Sequence, residues 1–200
     1  MRKTLSFYDV IILAISVALI ISLSYGWHEM HRAINFNHPD TITLNYAALP
    51  YYTLRTGMRL LIGLVFSLIF AIIGGALSAK FAPIRHVMLP FVNFMESVPL
   101  VGFLTFSTVY FLHIFPHSVM GLECAAIFGV FTGQAWNMML AVYQSLRIVP
   151  DELQEAARMF GYNNWQKFWR LELPYTTPAL LWNTMVSQSS AWFALVASEA

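Results

Sequence analysis

Charge is what this sequence has least of. Asp, Glu, Lys and Arg make up 10% of its 200 residues, against about 25% in soluble domains. A water-soluble fold of this size needs a polar surface, and that surface cannot be built from so few charges. An all-buried subunit of a soluble complex is the alternative, but the apolar runs reach membrane-spanning length. The net charge of +1 excludes a strong pull toward nucleic acid. The single cysteine, Cys124, excludes an intrachain disulfide and reads as a small packing residue. There is no zinc-type Cys/His spacing, and the six histidines are scattered, several of them in loops, so no metal site is expected. No G-x-x-x-x-G-K-[ST] phosphate loop is present, so the chain is not expected to bind ATP. No paired carboxylates and no nucleophile–base arrangement stand out, so catalysis by this chain is not expected.

What the sequence does have is apolar runs. The expected fold class is an all-α membrane protein of about five spans, near residues 7–25, 56–79, 87–112, 119–141 and 177–200. The first follows Arg2 and Lys3 and has no A-x-A-like cleavage site behind it, so a retained helix is expected rather than a signal peptide. Residues 26–52 are mixed and polar and read as a loop, with a short surface helix near 27–34. The second run is rich in Gly and Ala (Gly57, Gly63, Ala71, Gly74, Gly75, Ala76), which lets neighbouring backbones approach closely. The third is interrupted by Pro90 and Pro99 around Asn93, Glu96 and Ser97. It reads either as a broken, pore-lining element or as an interfacial helix ending near Ser97 with the true span starting at Pro99.

Residues 143–174 form the longest polar interval, between the fourth and fifth runs. Pro150 and Asp151 suit a helix start. Leu153, Ala156, Ala157 and Phe160 recur at helical spacing on one face. Gly161 is the expected left-handed stop, Asn163 or Asn164 a second cap, and Pro174 the end of a second short helix bearing Trp165, Phe168 and Trp169. With the N-terminus inside, Arg2, Lys3, Lys80, Arg85, Arg147, Arg158, Lys167 and Arg170 share the inner side and only Arg32, Arg55 and Arg59 lie on or near the other. By the positive-inside rule the polar interval then faces the cytoplasm.

This interval carries a resemblance. Glu155-Ala156-Ala157, three residues, Gly161, nine residues, Leu171, one residue, then Leu173-Pro174 matches E-A-A-x3-G-x9-I-x-L-P, with Leu171 for Ile as the single departure. The motif marks membrane subunits of ABC importers that depend on binding proteins, and the chain resembles these from about Leu54 through Ala200. Residues 55–79 are similar to the usual opening of that domain, and 192–199 to the fifth span of nitrate/sulfonate/taurine-type permeases. Gln134-Ala135-Trp136-Asn137 and Trp182-Asn183 look like a branch in which two such domains are fused. The abrupt, unflanked stop at Ala200 gives the expectation of an N-terminal piece lacking a further span.

The resemblance implies a type I ABC importer transmembrane domain. Residues 1–53 would be an N-terminal membrane helix and extracytoplasmic loop, and 54–200 the permease domain, with a cytoplasmic coupling module at 143–174. Its partners would be a cytoplasmic ATPase dimer holding ATP and magnesium, an extracytoplasmic solute-binding protein, and a second permease domain, as a homodimer or a fused half. The setting would be the lipid of a prokaryotic inner membrane, with the N-terminus cytoplasmic. Glu155, Ala156, Ala157, Gly161, Leu171, Leu173 and Pro174 would couple to the ATPase, Glu155 by pairing with a basic group there or, alternatively, by capping its own helix. The solute would be small, with the subgroup similarity suggesting an anion. Asn93, Glu96, Gln134, Asn137 and Gln188 are candidates for the translocation path, or equally groups that bond neighbouring helices. A channel or secondary transporter driven by an ion gradient is the competing class. It would need inverted repeats and intramembrane ionisable groups, and no repeat is evident.

Overall fold

The computed structural model describes residues 46–116 and 118–199, together with 11–18, 20, 21 and 24. The described residues of the first apolar run are helical; the rest of that run, and the surface helix expected near 27–34, lie outside the described residues. Beyond a short 3-10 turn at Tyr46–Ala48, the main elements are α1 (Leu49–Lys80), α2 (Ala82–Ser97), α3 (Leu100–Ile114), α4 (Val119–Arg147), α5 (Asp151–Met159), α6 (Asn164–Lys167) and α7 (Leu173–Glu199). A π turn, Phe168–Glu172, joins α6 to α7.

Helix α4 is the axis of the bundle. It packs against α1 on one side and α7 on another, with α3 across its first half. Its contact with α1 uses the small residues the sequence offered. Gly63, Ser67, Ala71, Gly74 and Ser78 fall three or four apart and are all buried, which is one helical face. A Cβ on Gly63 would sit 2.4 Å from a methyl of Val130, and one on Gly75 2.6 Å from a methyl of Val142. The two backbones are therefore as close as glycine allows. The same device works toward α3, where a Cβ on Gly129 would meet Leu104 at 2.4 Å. Around these contacts the core holds Val92, Trp136, Met138, Met139 and Leu180, with Trp136 edge-on to Phe70, Phe91 and Phe131. The outward faces keep large apolar side chains exposed, among them Phe66, Ile69, Ile73, Phe106 and Val109, as lipid contact requires.

Among the described residues, two helices are long and apolar enough to cross a membrane, Tyr46–Lys80 and Val119–Arg147. Helices α2 and α3 pass the same test only together, and they bend by 99° at their break. The break has a local cause. Pro99 disfavours helical backbone at the residue before it, and Val98 is extended at φ −75°, ψ 129°. Pro90, expected to interrupt the same run, instead lies inside α2, which continues through it. Both readings of this run call for a break near Ser97–Pro99, and the break lies there, between Ser97 and Leu100. Helix α3, with 15 residues, rises only about 22 Å at 1.5 Å per residue, short of a ~30 Å hydrocarbon core. Helix α7 has 27 residues and thus the length, but Thr176, Thr177, Asn183, Thr184, Ser187 and Gln188 make it less apolar than the other two.

Candidate functional site: the polar module and the central cleft

The polar interval folds as a helix, a glycine turn and a second short helix. The start of α5 is set by Pro150, extended at φ −56°, ψ 143°, and by Asp151 and Glu152 in the first turn, where the helix dipole favours acids. Its end is a Schellman motif: the Gly161 N–H donates to the Arg158 carbonyl at 2.9 Å and the Tyr162 N–H to the Ala157 carbonyl at 3.1 Å. This geometry places Gly161 at φ +69°, a conformation only glycine takes cheaply. Asn163 then opens α6 with a capping box. Its side chain accepts from the Gln166 N–H at 2.8 Å, and its own N–H donates to the Gln166 side chain at 3.1 Å.

Pro174 does not end the second helix. The backbone widens through the π turn, with the Leu173 N–H donating to the Phe168 carbonyl, and runs directly into α7, so Leu173 and Pro174 occupy the first turn of the last long helix. Proline has no N–H to give to the helical ladder, and Pro174 follows directly on this π turn, where the regular ladder is already interrupted. Residues 143–147, at the front of the polar interval, are the final turn of α4.

The module leaves large apolar side chains uncovered. Met159 is 89% exposed, Phe160 74% and Trp165 68%. Ala157 is buried against the protein, and Ala156 is half-buried. The apolar face expected from Leu153, Ala156, Ala157 and Phe160 is thus divided, with its first and last members outward. Glu155 is exposed and caps nothing in its own helix; among the described residues its carboxylate has no hydrogen-bond or ion-pair partner. Leu171 and Leu173 are half-buried, and Pro174 is exposed.

Beneath the module lies a set of charges that sequence reasoning did not connect. Glu172 is buried and pairs with Lys80 Nζ at 2.6 Å and Lys167 Nζ at 3.7 Å. Lys167 also donates to the Gln154 side-chain oxygen at 3.0 Å, and Gln154 donates to the Val149 carbonyl at 3.2 Å. Lys80 Nζ stands 5.0 Å over the Phe168 ring. The one available signal was the setting of Glu172, an acid between Leu171 and Leu173.

Of the path candidates, Glu96 and Asn137 come together. Both line a cleft of about 420 Å³ at the α2–α3 break, with Thr132, Trp136, Ser189 and Phe193 in its wall. The indole N–H of Trp136 is buried and has no hydrogen-bond partner among the described residues. Gln134 and Gln188 do not reach the cleft wall; Gln134 donates to Gln188 at 3.3 Å across the α4–α7 interface. Asn93 is exposed on α2, one turn before Ser97, which donates to its carbonyl at 2.8 Å.

At the opposite end of α1 from Lys80, Glu123 is 1% exposed and accepts from both Arg55 and Arg59. The contact from Arg55 Nε is 2.8 Å and that from Arg59 Nη2 is 2.6 Å. These are the arginines at a span mouth in the sequence; in the fold they clasp α1 to the start of α4.

Residues 63–200 match the family model described as the binding-protein-dependent transport system inner membrane component. The chain belongs to this family. The matched stretch takes in most of α1, the broken pair, α4, the polar helix–glycine–helix module and α7. Among curated proteins, the family member is similar to a probable ABC transporter permease protein of Brucella melitensis, 28% identical over 142 residues, 70% of this chain and 54% of that protein. A probable ABC transporter permease protein of Brucella abortus matches at 28% over 142 residues, 70% of this chain and 53% of its own length. One from Pyrococcus horikoshii matches at 25% over 177 residues, 84% of this chain and 60% of its own length. The chain thus spans little more than half the length of the curated relatives it matches. The motif at 155–174 lies inside the matched stretch and spans exposed Met159, Phe160, Trp165 and Trp169.

Proposed function

We propose that this inner membrane component is a permease unit of an ATP-driven importer, and that α5, Gly161 and α6 are the seat of a cytoplasmic ATPase. The observation that carries the reading is the coupling module itself. It holds an unpaired carboxylate at Glu155 beside exposed Met159 and Phe160, on a turn fixed by Gly161, between two long helices. A soluble partner would cover these apolar side chains and offer a cation to Glu155.

The translocation path passes the cleft at the α2–α3 break, where Glu96, Asn137 and Trp136 supply polar groups in an apolar wall. Irregular backbone at membrane depth is tolerated against protein or a watery cavity, which suits the Val98–Pro99 break. Gln134 and Gln188 act as helix-packing groups. An extracytoplasmic binding protein delivers the solute, and a second permease domain completes the pathway in a prokaryotic inner membrane with five spans per unit and the N-terminus cytoplasmic. The further assignment to small anions of the nitrate, sulfonate or taurine kind rests on resemblance alone, since Arg55 and Arg59 are engaged by Glu123. The test is reconstituted uptake by the full-length protein with its ATPase and binding protein. Uptake that requires ATP and the binding protein supports the reading; uptake driven by an ion gradient with no ATPase refutes it in favour of a secondary transporter.

A further inference from the structure

We infer that Lys80, Glu172 and Lys167 form an ionic latch through which the coupling module moves helix α1, with Glu172 as its positioning residue. The inference rests on the module being the ATPase seat. The module is joined covalently to α4 through Ile148–Pro150 and to α7 through the π turn, so these two helices must follow it. Helix α1 has no such link, since the chain leaves Lys80 directly into α2. Beyond its packing along α4, the end of α1 is tied to the module through Lys80, whose ammonium lies 2.6 Å from Glu172 and 5.0 Å over the Phe168 ring. Glu172 in turn faces Lys167, and Lys167 and Gln154 carry the connection to the Val149 carbonyl at the base of α5. One buried carboxylate therefore fastens the ends of two long helices and both short ones at a single point.

A buried carboxylate left without a cation is strongly disfavoured, so Glu172 resists separation of α1 from the module while they move together. The π turn makes this possible. Its wider backbone lets Glu172 turn inward while Trp169, on the same turn, stays exposed.

The latch is tested by counting ATP hydrolysed per solute taken up, using the full-length permease with its ATPase and binding protein in proteoliposomes. Glu172→Gln and Lys80→Met are expected to lower uptake more than hydrolysis, raising the ratio at least about fivefold, the low end of ordinary coupling free energies. Lys167→Gln, at the longer distance, is expected to raise it less. The exchanged pair Lys80→Glu with Glu172→Lys is expected to bring the ratio back toward wild type. A wild-type ratio in Glu172→Gln overturns the latch, as does an equal fall in uptake and hydrolysis, which a merely structural role would give. If wild-type uptake proves independent of ATP, the proposed function fails instead. The pair is then read by thermal unfolding of the same proteins, where additive effects of Lys80→Met and Glu172→Gln overturn the latch and non-additive effects support it.

Discussion

Replacing Gly161 by valine is expected to disconnect transport from ATP hydrolysis without unfolding the membrane helices. The residue stands at φ +69°, and a Cβ built on it meets nothing within 4 Å. The cost of a side chain is therefore backbone strain rather than collision. For an L-residue the left-handed region costs about 1–2 kcal/mol, more for a β-branched side chain and less for asparagine, which tolerates it. Each 1.4 kcal/mol is about a tenfold change in the ratio of native to altered turn. The series Asn, Ala, Val should thus raise the ATP spent per solute in that order, with Gly161→Asn close to wild type. The measurement is uptake and hydrolysis in proteoliposomes, beside the thermal unfolding midpoint in detergent. Little shift in the midpoint with a graded loss of coupling is the expected pattern. Wild-type coupling in a folded Gly161→Val protein would refute the role given to this turn, and so would a loss that ignored the order of the series.

Other substitutions probe separate parts of the account. Gly75→Leu should destabilise the bundle by about 1–3 kcal/mol by overpacking against Val142, whereas Gly57→Ala, with nothing within 4 Å of the new methyl, should be neutral or stabilising by up to about 1 kcal/mol; thermal unfolding compares the two. Glu123→Gln removes the charged acceptor of two arginines and should cost about 1.5–3 kcal/mol, read the same way. Asn163→Ala removes the capping box of α6 and should cost about 1 kcal/mol locally, visible as faster amide exchange at residues 164–168. Glu96→Gln with Asn137→Ala should alter the solute concentration giving half-maximal uptake while the ATPase still copurifies; unchanged uptake would remove the cleft from the path.

Much of this architecture is written in short-range pattern. The buried face of α1 follows from small residues three and four apart, from Gly63 to Ser78. The start of α5 is legible in Pro150-Asp151, and the left-handed turn in Gly161. Proline was less readable, because one residue type marks three situations. Pro99 breaks a helix, Pro90 rides inside one, and Pro174 lies in the first turn of another. Only the neighbouring backbone tells them apart. The π turn at Phe168–Glu172 has no sequence signature, so the second short helix was expected to stop where it in fact continues. The charge pairs were hidden for a different reason. Lys80 meets Glu172, and Arg55 and Arg59 meet Glu123, across large sequence separations, and spacing rules reach only a few residues along one helix. Among the path candidates, the pattern placed polar residues in apolar helices but could not separate Glu96 and Asn137, which share a cleft, from Gln134 and Gln188, which bond each other.

The central claim is that an ATPase takes hold of the protein at α5 and its glycine turn. Its most direct test is a photo-activated cross-linking amino acid in place of Phe160, exposed at the end of α5, in the full-length protein in native membranes, with Phe106 on the outward face of α3 as the comparison site. The account predicts a cross-link from position 160 to an ATP-hydrolysing subunit, weakened by Glu155→Ala, and none from position 106. A cross-link from 160 to lipid alone, or no difference between the two positions, would contradict it.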